Sequence, residues 1–227
     1  CWQVGNGIAN RAGMPASAKK KPLVIVTRKL PDAIETRLME LFETQLHIAR
    51  LCRDHLHDLF GAIDALHAAL KVKGNDLGTM QQLLDLYRDT HQGPRAVDMM
   101  EKVLGHPDVS QDVAARKKGY FTLAEICRDE LKDDARAVAA FNQCLDLDPR
   151  FIQAFTAIEA LLVSRKQWKK LEENYAAMIR RLPKTDDTHQ ARMSLWRTLA
   201  DLYLKVLKNP QAAMMALEVV TKASPDD

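Results

Sequence analysis

The feature that most constrains this chain is a helical phrase that returns along it at near-regular intervals. A leading Ala or Leu is followed four residues later by a large side chain, then after three more by a smaller apolar one, and a proline closes the phrase. It reads Ala96, Met100, Val103, Pro107, then Ala137, Phe141, Cys144, Pro149. It returns as Leu171, Tyr175, Met178, Pro183, and as Ala213, Leu217, Val220, Pro225. The leading residues stand 41, 34 and 42 residues apart, and a fainter copy (Ala62, Leu66, Ala69) lies 34 residues before Ala96. Spacings of i, i+4 and i+7 place the three apolar residues on one face of a helix. A proline cannot continue that helix, so it redirects the chain. One such unit cannot bury its apolar face alone, and only stacking on a neighbour makes a core.

A second helix precedes each copy and carries its own pattern. Trp196, Leu199, Ala200 and Tyr203 are matched by Tyr120, Leu123, Ala124 and Cys127, and more loosely by Met80, Leu83, Leu84 and Tyr87. Phe155, Ile158, Glu159 and Leu162 match least well, because Glu159 stands where a small residue is wanted. Small residues let paired helices approach closely, and large ones fill the groove between neighbours. This pattern resembles the W-x-x-L-G-x-x-Y signature of tetratricopeptide repeats over about residues 48–227, with Ala200 in place of the glycine. The resemblance implies an all-α fold, a right-handed solenoid of antiparallel helix pairs. Two of the intervals exceed the family's usual length of about 34 residues. The excess falls at Val109 to Lys118 and at Thr185 to Arg192, as loop and first-helix extensions.

The same resemblance implies a function, holding other proteins without catalysis, and a surface, the concave face lined by first-helix residues not used in packing. Mapped onto this chain, the partner-binding residues are Gln81, Asp85, Arg88, Phe121, Glu125, Arg128, Thr156, Arg197, Asp201 and Leu204, with Ala160 and Val163 as an apolar strip. An extended or helical segment of a partner protein is expected there. The Lys and Asn set that clamps the carboxylate of chaperone tails in some members is absent, so a chaperone-tail adaptor is not expected.

Residues 1–21 are aperiodic and polar and read as a disordered tail. Gly5-Asn6-Gly7 lacks both a preceding strand and the third glycine of a dinucleotide loop. In residues 22–47, a β-branched run (Leu23 to Thr27) is followed by a helix from about Asp32 to Thr44 with Ile34, Leu38, Leu41 and Phe42 on one face. This strand and helix resemble the opening of D-2-hydroxyacid dehydrogenases of the glyoxylate and glycerate reductase type. The glycine loop and catalytic Arg, Glu and His of that family do not follow, so no NAD(P) site or catalytic role is carried over. The division expected is a tail (1–21), a strand-helix appendage (22–47) and a helical repeat domain (48–227). A second reading makes the chain a fragment or fusion, with an enzyme-like head beginning near Met14 and a repeat array reaching its boundary at Pro225-Asp226-Asp227.

Charge and composition bound the partners. The net charge is +3, but six positive charges and no acid lie in the first thirty residues, so the repeat region is close to neutral and nucleic acid is not expected. Cys1, Cys52, Cys127 and Cys144 form no CxxC, which favours a reducing, cytoplasmic setting over a disulfide framework or a zinc site. The apolar run Leu23 to Val26 is too short to cross a membrane. His55 and His57 are two residues apart, so on a helix they point to different sides and no metal is expected. No cofactor is expected.

Overall fold

The computed structural model describes residues 32–223. The tail expected over 1–21, the strand at Leu23 to Thr27 and the closing Pro225 lie outside the described residues. In chain order the elements are α1 (Asp32–Asp54), α2 (Leu59–Val72), α3 (Leu77–Asp89), α4 (Gly93–Gly105), a short α5 (Pro107–Ser110), α6 (Val113–Asp129) and α7 (Asp134–Leu147). They continue as α8 (Ile152–Ser164), α9 (Trp168–Arg181), α10 (Asp186–Leu202), a π-helical turn (Tyr203–Leu207) and α11 (Pro210–Ala223). The described residues hold no strand. The fold is an all-α, repeat-like array of antiparallel pairs (α1/α2, α3/α4, α6/α7, α8/α9, α10/α11), each second helix packing on the next first helix as in a tetratricopeptide solenoid.

The turn inside each pair shows the repeat most sharply. One non-glycine residue there adopts left-handed backbone: His57, His91, Lys132, Lys166 and Lys208, with φ of 53, 54, 56, 53 and 53°. Each stands five positions before the leading residue of the phrase (Ala62, Ala96, Ala137, Leu171, Ala213). The next residue donates its N–H to the carbonyl of Cys52, Tyr87, Cys127, Leu162 or Tyr203, at 2.8 to 2.9 Å. Those acceptors occupy the last place of the first-helix signature. The left-handed residue thus reverses the chain while satisfying a carbonyl that the helix end leaves open. Three turns are one residue longer than the other two, and in α10 the π-helical turn absorbs the extra residue.

Helix starts are fixed by short polar side chains. Asp58, Asp76, Asp112, Asp133 and Asn209 accept from the backbone N–H of Gly61, Thr79, Ala114, Arg136 and Ala212, at 2.9, 3.0, 2.8, 3.0 and 3.1 Å. The two long intervals are explained by α6 and α10, each of 17 residues against 13 in α3 and α8, together with α5.

The small residues that the repeat needs are buried: Ala96, Ala124, Ala137, Ala200 and Ala213. One apolar cluster joins α1 to α4 and extends into Ile126, Cys127 and Ala137, while a second runs from Ala124 through α7, α8 and α9 to Leu199 and Leu202. Helix α6 contributes to both, which couples them. Helix α1 runs unbroken across residues 47 and 48, where the sequence reading placed a division. Its Phe42 and Ala49 are buried, and Ala49 lies in the small place of the signature, three residues before Cys52. The stretch that resembles a dehydrogenase helix is therefore, in this fold, the front of the first helix of the array.

Candidate functional site

Packing uses one side of each first helix and leaves the other side as a row of surface positions. Three of the sequence-derived residues line two unlike hollows, Asp85 and Arg88 the one and Thr156 the other. Gln81, Asp85 and Arg88 are exposed on α3, and Asp85 and Arg88 join Asp89, His91, Asp129 and Glu130 around a polar hollow of about 510 Å³. On α6, Glu125 and Arg128 are half-buried. The Arg128 guanidinium donates two hydrogen bonds of 2.7 Å to Asp129 and lies 5.9 Å from the centre of the Phe141 ring. Phe121 has another role: its ring packs edge-on against Phe141 and Phe151, with centroids 5.4 and 5.3 Å away, so it serves the core more than the row.

The second patch is apolar. Thr156 lines a hollow of about 450 Å³ between α8 and α10, together with Ile152, Phe155, Met178, Leu182, Ala191 and Leu195. Ile152 is 66% exposed and Val163 43%; with Thr156 and Ala160 they form one face of α8 at steps of four, four and three residues. Leu204, 44% exposed, stands on the π-helical turn at the frame place that Val163 holds in α8. Polar groups around this trough are already engaged. The Thr156 hydroxyl donates to the Ile152 and Gln153 carbonyls, and the Thr188 hydroxyl to those of Pro183 and Thr185. Arg150 pairs with Asp187 at the rim, and Asp201 pairs with Lys205 at 2.8 Å.

The sequence reading missed Ile152 and Leu195 because neither occupies a groove place in the repeat frame. It also missed Arg53 and Asp54, the same pair as Arg128 and Asp129, joined at 2.7 Å. A usable signal existed: Cys52-Arg53-Asp54, Tyr87-Arg88-Asp89 and Cys127-Arg128-Asp129 end three successive first helices. The hydrogen bond from the neighbouring guanidinium holds the Asp54 and Asp129 carboxyls below the usual carboxylate range. Such exposed pairs add little to stability, so their main consequence is the charge pattern of the surface.

The poor signature match at Glu159 has a structural reason. Tyr175 donates its hydroxyl to the Glu159 carboxylate, and Tyr203 donates to Glu172 at 2.7 Å. Burial first, and then these carboxylates, push both phenols up, Tyr203 to about 12. The Cys127 and Cys144 thiols are buried at repeat positions, and burial pushes Cys144 up to about 12, so both stay protonated at neutral pH. Among the described residues no group of three or more His, Cys, Asp and Glu is placed to hold a metal ion, and no helix is long and apolar enough to cross a membrane.

No protein-family model and no curated protein matches the chain. Solved structures resemble it at the level of helix arrangement. A crystal structure of MamA protein is 16% identical and aligns over 82% of this chain and 93% of its own, with a TM-score of 0.48. YrrB, described as a TPR protein with an unusual peptide-binding site, is 16% identical over 86% of this chain and 94% of its own, with a TM-score of 0.45. A tetratricopeptide repeat protein from Parabacteroides merdae is 15% identical over 82% and 80%, with a TM-score of 0.46.

Proposed function

We propose that the chain is a non-catalytic protein-interaction scaffold that holds a segment of a partner protein along its first-helix face. One observation carries this reading: the apolar trough at α8 and α10, where Ile152 is two-thirds exposed beside a hollow large enough for a bulky side chain. Burying exposed apolar surface is worth about 25 cal/mol per Å², which gives a partner side chain a reason to enter. The row Gln81, Asp85, Arg88, Glu125, Arg128, Thr156, Arg197, Asp201 and Leu204 borders or continues the two patches and completes the proposed contact surface. The described cysteines, Cys52, Cys127 and Cys144, are free thiols, which supports a reducing, cytoplasmic setting.

Site-specific photo-cross-linking tests the assignment. A photoreactive residue replaces Arg88 or Thr156 on the first-helix row, or Glu101 or Glu173 on the second helices, in the full chain. The partner is expected to be captured from Arg88 and Thr156. Capture from Glu101 and Glu173 alone contradicts the assignment, as does survival of every captured partner after Arg197→Glu with Ile152→Lys.

A further inference from the structure

One residue breaks the repeat from inside. Asn174 stands three residues after the leading Leu171 of its phrase, and the same place in the other four copies holds Ala65, Met99, Ala140 and Ala216. All five are buried, Asn174 at 6% exposure. Neither its Nδ2 nor its Oδ1 has a hydrogen-bond partner in the protein. A buried amide left bare in this way lowers stability, and alanine would carry no such penalty. Packing therefore does not explain the asparagine.

Asn174 lines a hollow of about 430 Å³ between the second helices α7 and α9, to which Val138, Leu162 and Ala177 contribute apolar surface. Two polar neighbours in the lining are already committed. Asn142 donates to the Val138 carbonyl at 3.0 Å and accepts from Arg181 at 2.9 Å, and Arg181 also donates to Asp146 at 2.7 Å. These bonds tie α9 to α7 and leave Asn174 unserved. On α9 the lining runs at helical spacing through Lys170, Asn174, Ala177 and Arg181, one face about 16 Å long. An extended chain of about five residues spans that length.

A carboxamide presents a donor and an acceptor side by side. An extended main chain presents the complement, because the N–H and C=O of one residue exchange both bonds with a group opposite. A simple anion offers no donor, and an apolar side chain offers neither group. Charge is a lesser guide to the occupant. With Arg181 held by Asp146, Lys170 and Arg180 stand against Glu173 in the lining, which leaves one positive charge.

We propose that the α7–α9 hollow is a second peptide site, in which Asn174 pairs with the N–H and C=O of one residue in an extended segment of a partner protein. The amide atoms are screened from solvent in the free chain, so the side chain turns toward the hollow as the segment arrives. The site lies on second helices and stands or falls apart from the first-helix row.

Selection of phage-displayed random peptides on the immobilised full chain supplies the probes, and the enriched peptides are synthesised and titrated by fluorescence anisotropy. At least one is expected to bind Asn174→Ala about tenfold more weakly than the wild type and to bind Ile152→Lys unchanged. Methylating its main-chain nitrogens one at a time is expected to find a position that weakens wild-type binding about tenfold and Asn174→Ala binding little. Asn174→Ala is also expected to unfold at a higher urea concentration, because it removes the bare amide at a place where three other copies carry alanine. Stability gained together with binding lost separates an amide that serves a ligand from one that serves the fold. A urea midpoint that falls or does not move, the lack of any such N-methyl position, or the lack of any enriched peptide weakened by Asn174→Ala overturns the proposal. If every enriched peptide depends on Ile152 instead, this site falls and the first-helix reading stands.

Discussion

Helices α1, α3 and α6 share a repeat frame with α8 and α10, yet the two groups present opposite surfaces. In the first group the frame ends in Arg53-Asp54, Arg88-Asp89 and Arg128-Asp129; in the second the same places hold Val163-Ser164 and Leu204-Lys205. The packing frame is kept in both groups, since Ala49, Ala124 and Ala200 are all buried, with Leu84 and Glu159 departing from the small residue once in each. The comparison separates two kinds of constraint. Close helix approach fixes the small and large residues of the frame, while the side facing away is free to become a charged hollow in one half and an apolar trough in the other.

The largest expected effect comes where the two halves join. Phe141 is fully buried, touches Phe121 and lies under Arg128. Phe141→Ala is expected to cost about 3–5 kcal/mol in urea unfolding. A loss under about 1 kcal/mol would mean that the halves do not share a packed junction. Next comes the contrast in binding. Ile152→Lys is expected to weaken the cross-linked partner at least tenfold, about 1.4 kcal/mol, and Asp85→Lys by less, both read by titration of the purified partner. The reverse order would move the anchor to the charged half.

A smaller effect divides the halves by pH. Burial and then Glu172 raise the Tyr203 phenol to about 12 from 10.0. A raised pKa in the folded state gives stability that is intact below the ordinary value and is lost as pH rises through the folded one. Tyr203→Phe is therefore expected to flatten the fall of the urea midpoint between about pH 10 and about pH 12. In the other half the Arg128 hydrogen bond lowers the Asp129 carboxyl. Its contribution is present above the ordinary value of 3.8 and is lost as pH falls through the lowered one. Arg128→Gln is expected to reduce stability at neutral pH and leave the acid limb shallower.

The smallest expected effect should be the same in both halves. Lys132→Gly and Lys166→Gly relieve left-handed backbone and are each expected to stabilise by roughly 0.5–1 kcal/mol, after the entropic cost of glycine. Unequal shifts would show that the turns are not equivalent.

Much of this architecture was legible because the frame repeats. Ala96, Ala137, Leu171 and Ala213 located four second helices, and the same offset locates their turns. The first pair was harder to read. Helix α1 carries Gln45 where later copies have Met80, Tyr120, Phe155 and Trp196, and its Ile34, Leu38 and Leu41 are exposed while Phe42 and Ala49 are buried, so its apolar pattern spreads over two faces. The groove was read only by register. Register selected Asp85, Arg88 and Thr156, which line surface hollows, and also Phe121, whose ring turns toward Phe141 and Phe151. It passed over Ile152 and Leu195, which become neighbours only when α8 and α10 stack.

The central claim, that the apolar end of the first-helix face receives the partner, is tested most directly by methyl-resolved NMR of the full chain titrated with the cross-linked partner. Chemical-shift changes are expected at Ile152, Val163, Leu195 and Leu204, with Val97 and Leu145 on the second helices unchanged. Changes confined to second-helix methyls, with those four silent, would contradict it.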